Sequence, residues 1–181
     1  TEMLREQGIS NLKEINELGK KDVDLIRKTP SNHIILLAAN DIGRVNLYTL
    51  ISKSHIEYFN RQPKIPKSLI TRYREGLIVG SACEAGELYR ALVFQRPEAE
   101  IRRLAKFYDY YEIQPLGNNE FMIADDDYYV KSFEDLKDLN RKIVALGEEY
   151  NKPVVATCDV HFLNPEDEIY RRIIMAGQGF K

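Results

Sequence analysis

The sequence predicts an α/β fold built from repeated strand–helix units. Four short apolar or alternating runs, at 33–39, 77–80, 110–114 and 153–157, have the length and composition of strands. Segments with apolar residues at helical spacing follow each run. This alternation is typical of parallel strands joined by right-handed crossovers. Four units do not close a barrel, so two architectures stay open: a small open sheet, or half of a (β/α) barrel.

The first elements are indicated by spacing and by capping residues. Residues 2–18 predict two short helical pieces, and residues 19–32 predict a charged connector. The run His33–Ala39 is continuously apolar, which predicts a strand buried on both faces. Asn40 or Asp41 can cap the helix that follows it.

Prolines and turn residues delimit the next elements. Arg61–Pro66 contains two prolines and is expected to be extended, with a short helix over Ser68–Arg74 after it. Leu77–Gly80 is predicted as the second strand. Helices are predicted near Glu84–Phe94 and from Pro97 onward.

The last third of the chain has clear start and stop signals. Pro115 ends the third predicted strand, and residues 116–131 have a mixed, loop-like pattern. Ser132 with Asp135 is close to a capping box and begins a helix that runs to about Tyr150. After the fourth strand, Asn164–Pro165 is expected to cap and open a final helix.

Composition excludes several classes of function. With 44% hydrophobic residues the 181-residue chain can bury a core, and its net charge of -2 argues against a broad nucleic-acid-binding surface. The two cysteines, Cys83 and Cys158, lie far apart and form no CxxC pair, which favours a reducing cytoplasm over a disulfide framework. No apolar run approaches the roughly 20 residues that span a bilayer, so no membrane association is expected.

Residues that could bind a metal follow the second and fourth predicted strands. Sites in parallel α/β folds lie at the carboxyl ends of strands, where this chain has Cys83 and then Asp159 and His161. Side chains two apart on an extended chain point the same way, so Asp159 and His161 are expected to share a side. Carboxylate and imidazole groups are common donors to divalent first-row metals.

Each of these residues also has a structural alternative. Asp159 could cap the next helix while His161 bonds to backbone, and Cys83 could be an ordinary buried cysteine. His33, at the start of a strand, could be a satisfied polar residue, and we interpret His55 as a structural or surface residue.

Several segments resemble the PHP (polymerase and histidinol phosphatase) domain of bacterial DNA polymerase III α subunits, especially the Gram-positive, PolC-type branch. The resemblance runs in order from about residue 30 to the end of the chain. Its segments are Asn32–Asn40 with Gly43, Ser54–Phe59, Pro63–Pro66, Tyr73–Leu77, Gly80–Cys83, Phe107–Pro115, Lys152–Thr157, Asp159–His161 and Asp167–Arg171. Residues 2–16 resemble the tail of the proofreading exonuclease that PolC-type enzymes carry inserted within the PHP domain.

The resemblance implies a fold, a division of the chain and a set of ligands. Residues 1–30 would be the exonuclease tail and connector, and 31–181 the second half of a TIM-like, seven-stranded PHP barrel. His33, Cys83, Asp159 and His161 match metal-ligand positions of that half, whereas the first-half motifs are absent. Relatives often have Gly and Asn at 158 and 159, so the carboxylate of Asp159 favours retained metal binding.

His33 does not fit this ligand set easily. On a parallel sheet the start of its strand would lie at the opposite end from Cys83 and Asp159. Either the strand boundary is a few residues off, or His33 does not bind.

The implied function is that of a piece of a larger enzyme. The intact protein would be a DNA-directed DNA polymerase with 3′–5′ exonuclease, using Mg²⁺ for polymerisation and contacting DNA, deoxynucleotides and other replisome subunits. This segment would contribute to a Zn²⁺, Mn²⁺ or Fe site of phosphoesterase type, would be inactive alone, would pair with the remaining half of the PHP domain and could self-associate. The alternatives are a non-catalytic scaffold and, more remotely, a free-standing histidinol-phosphatase-like enzyme.

Overall fold

The computed structural model describes residues 29–179, which form a mixed α/β arrangement. The predicted helical pieces within 2–18 and most of the connector lie outside the described residues. Most elements agree closely in position with those predicted from sequence. The exception is a 3₁₀ helix of eight residues within 116–131, where a loop-like segment was predicted. In chain order they are β1 (Ile35–Ala38), α1 (Asp41–Ile56), α2 (Lys67–Arg72), β2 (Leu77–Gly80), α3 (Glu87–Val93), α4 (Glu98–Ala105), β3 (Tyr111–Ile113), a 3₁₀ helix (Leu116–Ile123), α5 (Phe133–Tyr150), β4 (Val154–Ala156), a second 3₁₀ turn (Pro165–Asp167) and α6 (Glu168–Gly177).

The strands pair in the order β1-β2 and β3-β4, and a bridge joins the two pairs. β3 and β4 are parallel, as predicted, with Tyr111 opposite Val154. An isolated parallel bridge between Gly80 and Tyr110 connects β2 to β3. β1 and β2 are antiparallel, with Ile35 opposite Gly80. The prediction that all strands are parallel is therefore wrong for β1, while the seven-stranded barrel stays a prediction.

The route of the chain explains why β1 and β2 are antiparallel. After α1 the chain has returned to the start of β1, because Gln62 Nε2 donates to Ser31 Oγ at 2.8 Å. α2 then carries it back, and Ala39 N donates to Gly76 O at 2.9 Å where β1 ends and β2 begins. A single crossover helix would give a parallel pair. The second passage reverses the direction of β2.

The junction between β1, α1 and β2 depends on two glycines. The Asn40 side chain caps α1, as predicted, by accepting from Gly43 N at 2.9 Å. A Cβ on Gly43 would stand 1.8 Å from the carbonyl oxygen of Gly76, and Gly76 itself has φ +72°. Backbones this close exclude any side chain at position 43.

The hydrophobic core lies between the β2–β3 region and helices α3, α4 and α5. Its largest buried side chains include Tyr108, Tyr111, Leu88 and Ile143. The predicted cap of α5 is confirmed at Ser132. Asn164 forms a capping box at the 3₁₀ turn Pro165–Asp167, which leads into α6 at Glu168. The prediction that β1 is buried on both faces is wrong, because Leu37 is 48% exposed at the outer edge of the sheet.

Two helices expose apolar surface. α6 buries none of its residues. Ile169 and Tyr170 lie one helical turn before Ile173 and Ile174, so these four exposed side chains form one apolar stripe. α1 exposes Ile42, Val45 and Tyr48 in the same way. Between residues 29 and 179, no helix combines the length and apolar character that a membrane crossing requires.

We predict that Gly43→Ala destabilises the chain even though Gly43 lies in a helix. Helix propensity alone would favour alanine by about 1 kcal/mol, whereas the clash with Gly76 O should cost about 1–3 kcal/mol. Gly117→Ala is the matched control, since nothing lies within 4 Å of its Cβ position. Urea unfolding of both variants measures the difference. Equal or greater stability of Gly43→Ala would show that α1 and β2 do not approach this closely.

Candidate metal centre

A cleft of about 350 Å³ opens where β1 begins and where β2, β3 and β4 end. It is lined by three of the four predicted ligands and by polar groups from β3 and β4. The lining residues are His33, Ile34, Ile35, Ala82, Cys83, Glu112, Gln114, Thr157 and Asp159. This is the edge of the sheet at which sites of α/β folds occur.

His33 reaches this edge because β1 runs antiparallel to β2. The start of β1 therefore lies beside the carboxyl end of β2, and His33 Nδ1 is 3.3 Å from Cys83 Sγ. The backbone holds the pair in place, since His33 N donates to Ala85 O at 3.0 Å and His33 bridges to Gly86. The position of His33 before its strand is thus compatible with a role beside Cys83, and neither a shifted boundary nor exclusion of His33 is needed.

Cys83 is half-buried in the wall of the cleft. Ala82, which precedes it, has φ +61°, a left-handed conformation that costs a residue with a Cβ about 1–2 kcal/mol. Such strained positions concentrate at functional sites. Burial raises the pKa of the Cys83 thiol to about 11. The thiol therefore stays protonated near neutral pH unless a cation displaces the proton.

Asp159 and His161 are close together, but for a reason other than strand alternation. Asp159 has φ +52°, so the extended backbone that the alternation argument requires is absent. His161 Nδ1 lies 2.6 Å from the backbone oxygen of Asp159 and 3.8 Å from its Oδ2. Asp159 lines the cleft, whereas His161 is not among the lining residues.

Two residues of β3 and its end belong to the cleft and were missed by the sequence reasoning. Glu112 and Gln114 lie two positions apart, and they are only 7% and 8% exposed. The Oε1 atom of Gln114 is buried and has no hydrogen-bond partner among residues 29–179. An unpaired buried acceptor costs about 1–3 kcal/mol. The period-two pattern of 110–114 was visible in the sequence, but it does not say which face carries a site.

The donor atoms at the cleft are of the types that bind divalent metals, but the described residues do not bring enough of them together for a complete site. Imidazole nitrogen, cysteine sulfur and carboxylate oxygen are the donors that Zn²⁺ and related ions take, and the free Gln114 Oε1 adds an acceptor. Within the part of the chain that the structure describes, no group of three or more His, Cys, Asp or Glu residues is positioned to hold a metal ion. The ligand roles of His33, Cys83, Asp159 and His161 therefore stay predictions.

The sequence of the chain matches a known family. The family model described as "PHP domain" matches residues 14–130, which is more than half of the chain. The chain belongs to the PHP domain family. The resemblance found in the sequence is thereby confirmed.

The relatives of this PHP chain are long bacterial proteins named DNA polymerase III PolC-type. That of Clostridium perfringens is 54% identical over 178 residues, covering 98% of this chain and 12% of the relative. That of Caldanaerobacter subterraneus is 52% identical over 157 residues, covering 86% and 11%. That of Bacillus subtilis is 43% identical over 175 residues, covering 96% and 12%. The chain thus spans about an eighth of the length of these relatives.

We predict that Cys83 is slow to alkylate at pH 8. With a thiol pKa of about 11, only a small fraction of Cys83 is thiolate at pH 8. A more basic thiolate is a better nucleophile, but this offsets only part of the low thiolate fraction. The labelling rate should therefore be about 10-fold or more below that of an exposed cysteine. Iodoacetamide labelling of Cys158→Ser reports Cys83, and labelling of Cys83→Ser reports the exposed Cys158.

The pH profile supplies the second readout of this prediction. The raised pKa means that the Cys83 rate should still be increasing at pH 10, since the thiol loses its proton only as pH approaches about 11. Equal labelling of the two cysteines at pH 8 would mean that Cys83 is not desolvated in the cleft.

Proposed function

We propose that this chain is the second half of the PHP domain of a PolC-type replicative DNA polymerase. The similarity to the Clostridium perfringens protein over 98% of this chain supports the assignment. In this proposal residues 1–30 are the exonuclease tail and connector, and 31–181 belong to the barrel. The intact enzyme would polymerise deoxynucleotides on DNA with Mg²⁺, would carry a 3′–5′ exonuclease, and would act in the bacterial cytoplasm with other replisome subunits.

Within that enzyme, we infer that the cleft forms part of a divalent-metal centre of phosphoesterase type. The observation that carries this inference is the contact of 3.3 Å between His33 and Cys83, two donors 50 residues apart in sequence. Asp159 in the same cleft and the unpaired Gln114 Oε1 add support. Zn²⁺, Mn²⁺ or Fe bound there would polarise a phosphoryl oxygen and lower the pKa of a bound water.

The residues of this chain would each contribute a defined part. His33 and Cys83 would offer nitrogen and sulfur donors from one side of the cleft. Burial raises the pKa of the Cys83 thiol, so the thiol carries a proton beforehand and would lose it when a metal binds. Asp159 would offer a carboxylate from the opposite side. His161, whose Nδ1 now contacts the Asp159 carbonyl oxygen, would be the fourth donor of the proposed set.

A second candidate function is that of a metal-stabilised scaffold without turnover. It is favoured by the incomplete donor set among the described residues and by the lack of any Lys or Arg among the residues that line the cleft, since such side chains commonly bind phosphate. Full-length polymerase carrying His33→Ala and Cys83→Ser would separate the two. If the centre is catalytic, the unaltered enzyme has a metal-dependent phosphoesterase turnover that both substitutions remove. If it is a scaffold, the unaltered enzyme has no such turnover, and the substitutions lower only its thermal stability.

We propose that the remaining half of the PHP domain covers the exposed apolar stripe of α6. Patches of large apolar residues mark interaction surfaces, and Ile169, Tyr170, Ile173 and Ile174 are each more than half exposed. The chain corresponds to only 12% of its relative, which leaves ample sequence to cover this helix. Without that partner the stripe should pair with another copy.

We predict that His33→Ala and Cys83→Ser each weaken Zn²⁺ binding to the chain by more than about 100-fold. Loss of a residue that only supports a ligand weakens metal binding by up to about 100-fold, so loss of a ligand itself should exceed that. His55→Ala and Cys158→Ser are matched controls and should bind as the unaltered chain does, since His55, on α1, stacks on Phe59 and Cys158 is exposed. Competition titration with a chromophoric chelator measures the affinities. Equal affinity of all five proteins would refute the proposed centre.

We predict that the chain self-associates at micromolar concentration and that Ile173→Lys weakens the association. The substitution places a charge in the centre of the α6 stripe, where burial would be costly. Ile56→Lys is the control, because Ile56 is 77% exposed but lies at the end of α1. Sedimentation equilibrium of the three proteins decides the matter. A monomer at all concentrations, or equal weakening by both substitutions, would exclude α6 as the contact.

A further inference from the structure

Glu112 is a buried carboxylate at the centre of the cleft, with both oxygens hydrogen-bonded. Its Oε2 accepts from Thr157 Oγ1 at 3.0 Å, and its Oε1 accepts from Tyr110 OH at 3.2 Å. Its backbone N–H donates to Ser81 Oγ at 3.0 Å. Glu112 and Ser81 are only 7% and 3% exposed. Glu112 therefore joins β3 to the ends of both neighbouring strands.

The two attachments lead directly to the loops that carry predicted ligands. Ser81 stands two residues before Cys83, and Thr157 stands two residues before Asp159. Each loop turns through one left-handed residue, Ala82 or Asp159 itself. A strained turn persists only when surrounding contacts hold it. The hydrogen bonds of Glu112 are among those contacts.

The carboxylate of Glu112 has no basic neighbour in the cleft. Among the described residues that line the cleft there is no Lys or Arg, and the hydrogen bonds to the carboxylate come from two hydroxyl groups. The neighbouring Gln114 Oε1 is also without a partner. Two oxygen acceptors on one side of β3 thus lack a positive counterpart, and a divalent cation in the cleft would supply it.

We propose that Glu112 is a positioning residue of the metal centre, which orients the Cys83 and Asp159 loops and offsets the charge of a bound cation. The inference rests on the proposed function of the cleft. It assigns Glu112 a role that the ligand motifs did not indicate, and it makes Thr157 the link through which Glu112 acts on Asp159.

Cobalt titration of the chain tests the role, because Co²⁺ bound by a cysteine thiolate gives a charge-transfer absorption that reports Cys83 directly. Glu112→Gln preserves shape and one acceptor but removes the charge, and should weaken Co²⁺ binding by about 10–100-fold. Thr157→Val should weaken it similarly, and Thr157→Ser, which keeps the hydroxyl, should restore it. Tyr110→Phe removes the other hydrogen bond, which leads to neither loop, and should change affinity by less than about 3-fold.

Unfolding of the metal-free variants separates positioning from general stability. Glu112→Gln should be as stable as the unaltered chain without metal, since it loses a buried charge. If Glu112→Gln and Thr157→Val bind Co²⁺ like the unaltered chain while Cys83→Ser does not, Glu112 has no positioning role although the metal centre stands. If the unaltered chain itself gives no thiolate absorption with Co²⁺, the proposed centre and this inference both fail.

Discussion

The antiparallel pairing of β1 with β2 is the constraint on which the rest of the cleft depends. It sets the start of β1 beside the end of β2, and so brings His33 within 3.3 Å of Cys83. The pairing in turn depends on a backbone contact between Gly43 and Gly76 that leaves no room for a side chain. Two residues without side chains, at the opposite end of the β1–β2 pair from the cleft, thereby help to determine which donors meet in it.

Polar groups are concentrated on one side of a sheet whose other side is a conventional core. Tyr111 is fully buried against the helices, while its neighbour Glu112 carries a buried carboxylate toward the cleft. Burial of charged and unpaired polar groups opposes folding, and left-handed turns at Ala82 and Asp159 add to that cost. Local destabilisation of this kind is expected where a ligand later supplies the missing interactions, which agrees with the proposed metal centre.

Exposed apolar side chains are concentrated at the edges of the sheet and on α6. The outer strands β1 and β4 and the stripe of α6 expose large apolar side chains, whereas α3 and α4 bury most of theirs and α5 exposes only Phe133 and Val144. Apolar side chains are thus mostly buried where α3, α4 and α5 pack on the sheet, and exposed at the edges of the sheet. A proposed partner half that supplied more strands and helices would remove both the exposed side chains and the unpaired strand edges.

The sequence alone determined the elements, their caps and the residues that could bind metal. Asn40, Ser132 and Asn164 were identified as caps because capping depends on a few neighbouring residues, and Leu77–Gly80 was predicted to the residue.

The direction of β1 was decided only by tertiary structure, because it depends on two passages of the chain and on a contact between two glycines 33 residues apart. The same is true of Glu112 and Gln114, whose side of the sheet is set by strand pairing. Local propensities act over a few residues, whereas the cleft is formed by groups from four strands, and their meeting is a property of the packed chain.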